Sequence, residues 1–107
     1  MAKKDRLEVQ EAIEKYKTSY NMPELSRFYG IIIAIFYDDH DPPHFHAFYN
    51  EYVVRVEIRT GKQLSGTVPS RVFRLIEEWR NQHIEDLKKA WEDVQNHQPP
   101  AKISPLD

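Results

Sequence analysis

Apolar and polar positions change their period along this chain, and each change marks an element. Val9, Ala12, Ile13, Tyr16 and Tyr20 recur at helical spacing, which predicts an amphipathic helix over 5–18. Asn21-Met22-Pro23 ends it, since Pro23 steers Met22 away from helical backbone. Gly30 to Tyr37 is then apolar and β-branched at nearly every position, the pattern of a strand covered on both faces. Acids and Pro42-Pro43 stop that strand and impose a loop.

Alternation follows. His44–Tyr49 reads as a strand with His44 and His46 on one face and Phe45, Ala47 and Tyr49 on the other. Asn50-Glu51 is a two-residue turn in which Asn50 tolerates positive φ. Tyr52–Ile58 puts Val54, Val56 and Ile58 on the core face and Val53, Arg55 and Glu57 opposite. Gly61 closes a loop of Arg59-Thr60-Gly61, and Lys62–Val68 returns as a further strand. Helical spacing resumes at Val72, Leu75, Ile76 and Trp79, after Pro69-Ser70. It continues at Ile84, Leu87, Trp91 and Val94, with Asn81 as the expected cap. Trp79 and Trp91 fall on the apolar stripes, and Ala101–Asp107 reads as an extended tail. The expected fold is α+β: an antiparallel meander of three to four strands, packed with an N-terminal helix and two C-terminal helices. Residues 1–21 read as a helical extension and 22–107 as a single α+β domain with a His-rich loop at 38–46.

Composition narrows the chemistry. The chain has 107 residues, a formal charge of −2 and no cysteine, so disulfides, thiolate nucleophiles and thiolate metal sites are excluded. No apolar stretch reaches the roughly 18 residues of a membrane helix, and the N-terminus shows no apolar signal core, so a cytoplasmic protein is expected. The near-zero charge averages two blocks. Asp38, Asp39, Asp41 and Glu51 crowd residues 38–51, whereas Arg55, Arg59, Lys62, Arg71 and Arg74 face a single acid, Glu57, over 52–74.

Three of the five histidines, His40, His44 and His46, fall within seven residues. Two imidazoles at i, i+2 on a strand can chelate one ion, with His40 as a third ligand and Asp39 or Asp41 as a fourth or as an orienting carboxylate. A divalent metal such as zinc is the implied cofactor. The Asn50-Glu51 turn pairs His46 with Arg55 and His44 with Glu57. Glu57 is then placed to fix the His44 tautomer, and Arg55 to bind phosphate. His44, His46 and Glu57 are thus candidate catalytic groups for phosphodiester cleavage, and Arg55 and Arg71 candidate anion-binding groups. The alternative is a solvent-side row of cross-strand pairs with no chemistry.

These residues also carry a resemblance. Met22-Pro23-Glu24-Leu25-Ser26-Arg27-Phe28-Tyr29-Gly30-Ile31 resembles the start of a small bacterial family, domain of unknown function 4160. Asp39-His40-Asp41-Pro42-Pro43-His44-Phe45-His46-Ala47 resembles its hallmark DHNPPHFHA, with Asp41 in place of the common Asn. Glu78-Trp79, His83, Leu87 and Trp91, then Ile103-Ser104-Pro105-Leu106, resemble its C-terminal pattern, so the likeness covers 22–107. It implies a compact bacterial α+β domain, a small cognate protein partner and a role in a toxin–antitoxin system.

Three function classes follow. One is a toxin-like nuclease using the histidines, with or without a metal. Another is a non-catalytic module binding nucleic acid weakly or a protein, since 5–75 resembles the layout of double-stranded-RNA-binding domains with an extra strand. The last is a subunit whose His motif is structural, a Pro-Pro turn locked by imidazole hydrogen bonds.

Overall fold

The computed structural model describes residues 22–107, so the expected helix over 5–18 lies outside the described residues. Five strands form one antiparallel sheet in the order β1-β2-β3-β4-β5: Glu24–Phe28, Ile31–Ala34, His44–Tyr49, Tyr52–Glu57 and Gln63–Thr67. Two helices follow, α1 (Ser70–Gln82) and α2 (Ile84–Gln95). The architecture is the expected α+β meander, with five strands in place of three to four.

The additional strand is β1. Its two-residue connection to β2, Tyr29-Gly30, has positive φ at both positions, 50° and 78°. That is the signature of a type I′ hairpin turn, which usually carries Asn or Asp first. A tyrosine there conceals the turn from sequence reading. The β3–β4 hairpin follows the expected register, with Tyr49 opposite Tyr52, His46 opposite Arg55 and His44 opposite Glu57. Asn50 takes the left-handed conformation at φ 52°.

Alternation sorts the strands into two apolar clusters. Ile31, Ile33, Phe45, Ala47, Val54 and Val56 face the helices and pack with Val72, Ile76, Trp79, Leu87 and Trp91. Ile32, Ala34, Phe36, Phe48 and Val53 form a smaller cluster with Met22. Both faces of β2 are therefore apolar, as its unbroken hydrophobic run requires. Trp79 is the hub of the larger core, with ring centroids 5.5 Å from Phe28 and 5.9 Å from Phe45. Its indole N–H donates to the Ser104 carbonyl at 2.8 Å, and the Ile103 N–H donates to the Leu25 carbonyl at 2.8 Å. These bonds hold the tail across β1, where Ile103 and Leu106 are buried.

The helix boundary differs from expectation. Asn81 stays within α1, its amide bonded to the Glu77 carbonyl at 2.8 Å. His83 is the residue between the helices, and its carbonyl accepts the Leu87 N–H at 2.9 Å. Arg80 is buried on α1, paired with Glu77 and donating to the Ile58 carbonyl at 2.8 Å. It fastens the β4–β5 turn to the helix.

Gly66 on β5 has φ 75°, and a Cβ there would collide with the Val53 backbone carbonyl of β4. Rigid backbone cannot yield as a side chain does. Gly66→Ala is expected to lower stability by more than about 1 kcal/mol. Urea denaturation should show a lower midpoint at unchanged slope.

Candidate metal centre

The turn after β2 builds the site. Asp39 N–H donates to the Phe36 carbonyl at 3.1 Å, and Phe36 N–H donates back to Asp39 Oδ2 at 2.9 Å. This reciprocal pair turns the Asp39 carboxylate inward. The next side chain, His40, is consequently turned out to solvent and stands apart from the cluster it was expected to join. Asp41 is exposed as well, and the Asp41–Pro42 peptide is cis.

The chain then re-enters the sheet at His44, which is 2% exposed. His44 Nδ1 lies 2.8 Å from the Pro42 carbonyl. A carbonyl oxygen only accepts, so Nδ1 carries a proton and donates it. The other nitrogen, Nε2, points at Asp39 Oδ1 at 3.4 Å without forming a hydrogen bond. His46 Nδ1 lies 3.8 Å from Asp39 Oδ2, also buried and without a hydrogen bond. One ligand atom from each of Asp39, His44 and His46 falls within 4.8 Å of the others. Donors bonded at about 2.0–2.2 Å to one ion lie at most about 4 Å apart, so small side-chain movements would be needed for these three to share an ion.

Electrostatics favours the ligand forms. Burial pushes the His46 imidazole down from 6.5 to about 4, with His44 and Arg55 adding to the effect and Asp39 opposing it. His46 is therefore neutral at pH 7, with a lone pair free. Burial by itself would raise the Asp39 carboxyl. The contacts with His44 and His46 and the Phe36 N–H outweigh it and hold the group below its usual 3.8, so Asp39 is ionised.

Aromatic rings wall the cluster. Phe36 meets His46 edge-on at 4.4 Å, and the Trp91 ring of α2 lies 5.4 Å from His44. From the end of α2, Gln95 Nε2 donates to the Asp39 carbonyl at 3.0 Å, and His97 stacks on Tyr37 at 6.5 Å. Gln95 lies 56 residues from Asp39. No local pattern marks it as a support of this loop.

Glu57 sits opposite His44 in register, yet its carboxylate turns away and accepts the Thr60 hydroxyl. The β4–β5 turn claims it, and Asp39 is the carboxylate that meets His44. Arg55 shares the face of His46, half-buried, with no carboxylate at ion-pair distance among the described residues. Arg71 is elsewhere. Its guanidinium donates to the Tyr49 hydroxyl at 3.2 Å, at the opposite end of β3 and beside the helix-side core. The two candidate anion-binding arginines thus lie apart.

A family model described as domain of unknown function (DUF4160) matches residues 30–92. The chain belongs to the DUF4160 family. The match spans β2 through most of α2 and includes Asp39, His44 and His46; β1 and the tail fall outside it. Neither the curated proteins nor the solved structures contain a match. No helix among the described residues of this DUF4160 protein is long and apolar enough to cross a membrane.

The depressed His46 value has a definite sign. Between about 4 and 6.5 the unfolded chain binds a proton at His46 that the folded chain does not. Its contribution to stability is complete above pH 6.5 and declines as pH falls towards 4. Denaturation midpoints of chelator-treated protein should fall across this window. His46→Phe, which suits the neighbouring Phe36 and Phe48 rings, should flatten the slope; an equally steep slope in that variant would assign the loss to another group.

Proposed function

We propose that this DUF4160 protein holds a divalent metal ion with Asp39, His44 and His46, and uses it to act on phosphodiester groups of nucleic acid. The observation that carries the reading is the convergence of two buried, unbonded imidazole nitrogens on one ionised carboxylate. Buried polar atoms normally find partners, and a cation satisfies all three acceptors at once. Donation of His44 Nδ1 to a backbone carbonyl is the usual support of a metal-binding imidazole, leaving Nε2 for the ion.

The donor set is two nitrogens and one carboxylate, without sulfur. It suits zinc, manganese or iron, and three protein ligands leave coordination positions open. A bound divalent ion would lower the pKa of a water molecule and polarise a phosphoryl oxygen. Arg55, on the same face as His46, would hold a non-bridging phosphate oxygen. Hydrolysis then adds water across the ester: a new P–O bond forms, the old one breaks, and a proton passes to the leaving oxygen.

A second reading has its own support. The 3.4 Å approach of His44 Nε2 to Asp39 also suits a direct imidazole–carboxylate contact. The cluster would then clasp the Pro-Pro loop against β3 and α2 without a metal.

Calorimetric titration of metal-free protein with zinc, nickel or manganese separates the two. One site per chain is expected, with affinity at least about 100-fold lower in the His44→Ala, His46→Ala variant. Asp39→Asn should also weaken binding strongly, while Glu57→Gln should leave it unchanged. Equal affinity in wild type and double variant would leave the clasp as the explanation. For the reaction, labelled RNA and DNA should be cleaved only with metal present, and Arg55→Ala should weaken substrate binding more than metal binding. Cleavage that persists in the double variant would remove the histidines from it.

A further inference from the structure

The end of the molecule beyond Tyr49 carries a second arrangement, separate from the metal cluster. A groove of about 270 Å³ opens there, lined by Tyr29, Tyr49, Arg71, Leu75, Glu78 and Leu106, with Val72 and Asp107 completing it. Tyr29 is the exposed large hydrophobic residue of the described chain, at 59% exposure. It also sits at φ 50°, in a turn position that suits Asn or Gly far better than an aromatic residue. Local backbone preference does not explain a tyrosine there, and neither does burial. The exposed ring beside the groove does.

Arg71 stands over the Tyr49 ring, 5.8 Å from its centroid, and donates to the Tyr49 hydroxyl at 3.2 Å. It is exposed and has no carboxylate at ion-pair distance among the described residues. Tyr49 therefore orients the guanidinium, and the Asp107 side chain also lines the groove without forming an ion pair with it among the described residues. Arg71, Leu75 and Glu78 share one stripe of α1, with Leu75 between the two charges. Seven residues of helix separate Arg71 from Glu78 by roughly 10 Å along the axis. The groove thus offers a cation, an aromatic and aliphatic wall, and two carboxylates, Glu78 at the far end of the helical stripe and Asp107 on the tail.

We propose that this groove binds a nucleoside phosphate, with the phosphate on Arg71, the base against the Tyr29 ring, and Glu78 accepting from an exocyclic amine. A planar guanidinium fork matches phosphate oxygens. An exposed aromatic ring supplies a stacking surface for any base. A carboxylate accepts from the amino group of cytosine but finds no such donor on uracil. Arg71 and Glu78 together thus favour a ligand with an anionic end and an amino-bearing planar end. The site rests on the opposite end of β3 from His44 and His46, so it stands or falls independently of the metal centre.

The test is titration of the full chain, with a chelator present, by cytidine and uridine monophosphate, followed by amide NMR shifts. Saturable shifts are expected around Tyr29, Tyr49, Arg71, Leu75 and Glu78, and none at Asp39, His44 or His46. Cytidine monophosphate should bind tighter than uridine monophosphate, and Glu78→Gln should erase the difference. Tyr29→Ala and Arg71→Gln should each weaken binding about tenfold or more, with folding checked by the rest of the spectrum. The His44→Ala, His46→Ala variant should bind the nucleotide as wild type does, which separates this result from the fate of the metal reading. A short single-stranded oligonucleotide forms a second arm. Tighter binding than the monomer identifies a nucleic-acid strand as the source of the nucleotide, and equal binding identifies the free nucleotide. The proposal is overturned if no mononucleotide saturates, if inorganic phosphate binds as tightly as cytidine monophosphate, or if Tyr29→Ala changes nothing.

Discussion

The central strand β3 carries two imidazoles into places that water scarcely reaches, and the cost of that burial organises the site. His44 is 2% and His46 9% exposed, on a strand whose remaining inner positions are Phe45, Ala47 and Phe48. A buried polar atom without a partner costs a few kcal/mol. One of the nitrogens meets this demand through the Pro42 carbonyl, and two do not. The same desolvation that makes the burial costly keeps His46 neutral, so the lone pair is present where the carboxylate waits. A cation between these groups would remove the conflict, which is why the cluster is proposed as a metal centre.

Asp39 reaches the histidines only because the rest of the fold holds its loop. The Phe36 N–H bends the carboxylate inward, Gln95 of α2 secures its carbonyl, and Tyr37 stacks on His97. The helix pair therefore has two tasks. Through Val72, Ile76, Trp79 and Leu87 it covers one face of the sheet, and through its last turn it fixes the loop that supplies the carboxylate. Trp91 belongs to both, lying in the core and beside His44.

The two ends of β3 also divide the charge of the chain. The acidic loop gathers at His44, whereas Arg71 lies with Tyr49 at the other end. The basic block in the sequence is thereby split: Arg55 faces the histidine side, Arg71 the helix side, and Arg80 is consumed inside the fold by Glu77 and the Ile58 carbonyl. Net charge is a poor guide to such a surface, because opposite local fields cancel in the sum.

Short-range patterns were legible without coordinates. The β3–β4 register follows from a two-residue turn and strict alternation, so the pairing of His46 with Arg55 and His44 with Glu57 could be counted along the chain. The helices and the doubly buried β2 follow from periodicity in the same way. The first strand was hidden by a tyrosine in a turn that normally advertises itself with Asn or Gly. Which carboxylate meets His44 was not legible either. Register brings Glu57 opposite, but side-chain direction is set by the nearest competing partner, and Thr60 takes it. Asp39 prevails through a backbone N–H three residues away and a glutamine on a distant helix. The sequence alone determined which residues share a strand face, because that depends on a local period of two. Only tertiary structure decided which of them meet, because burial and competing hydrogen bonds act between segments far apart in the chain.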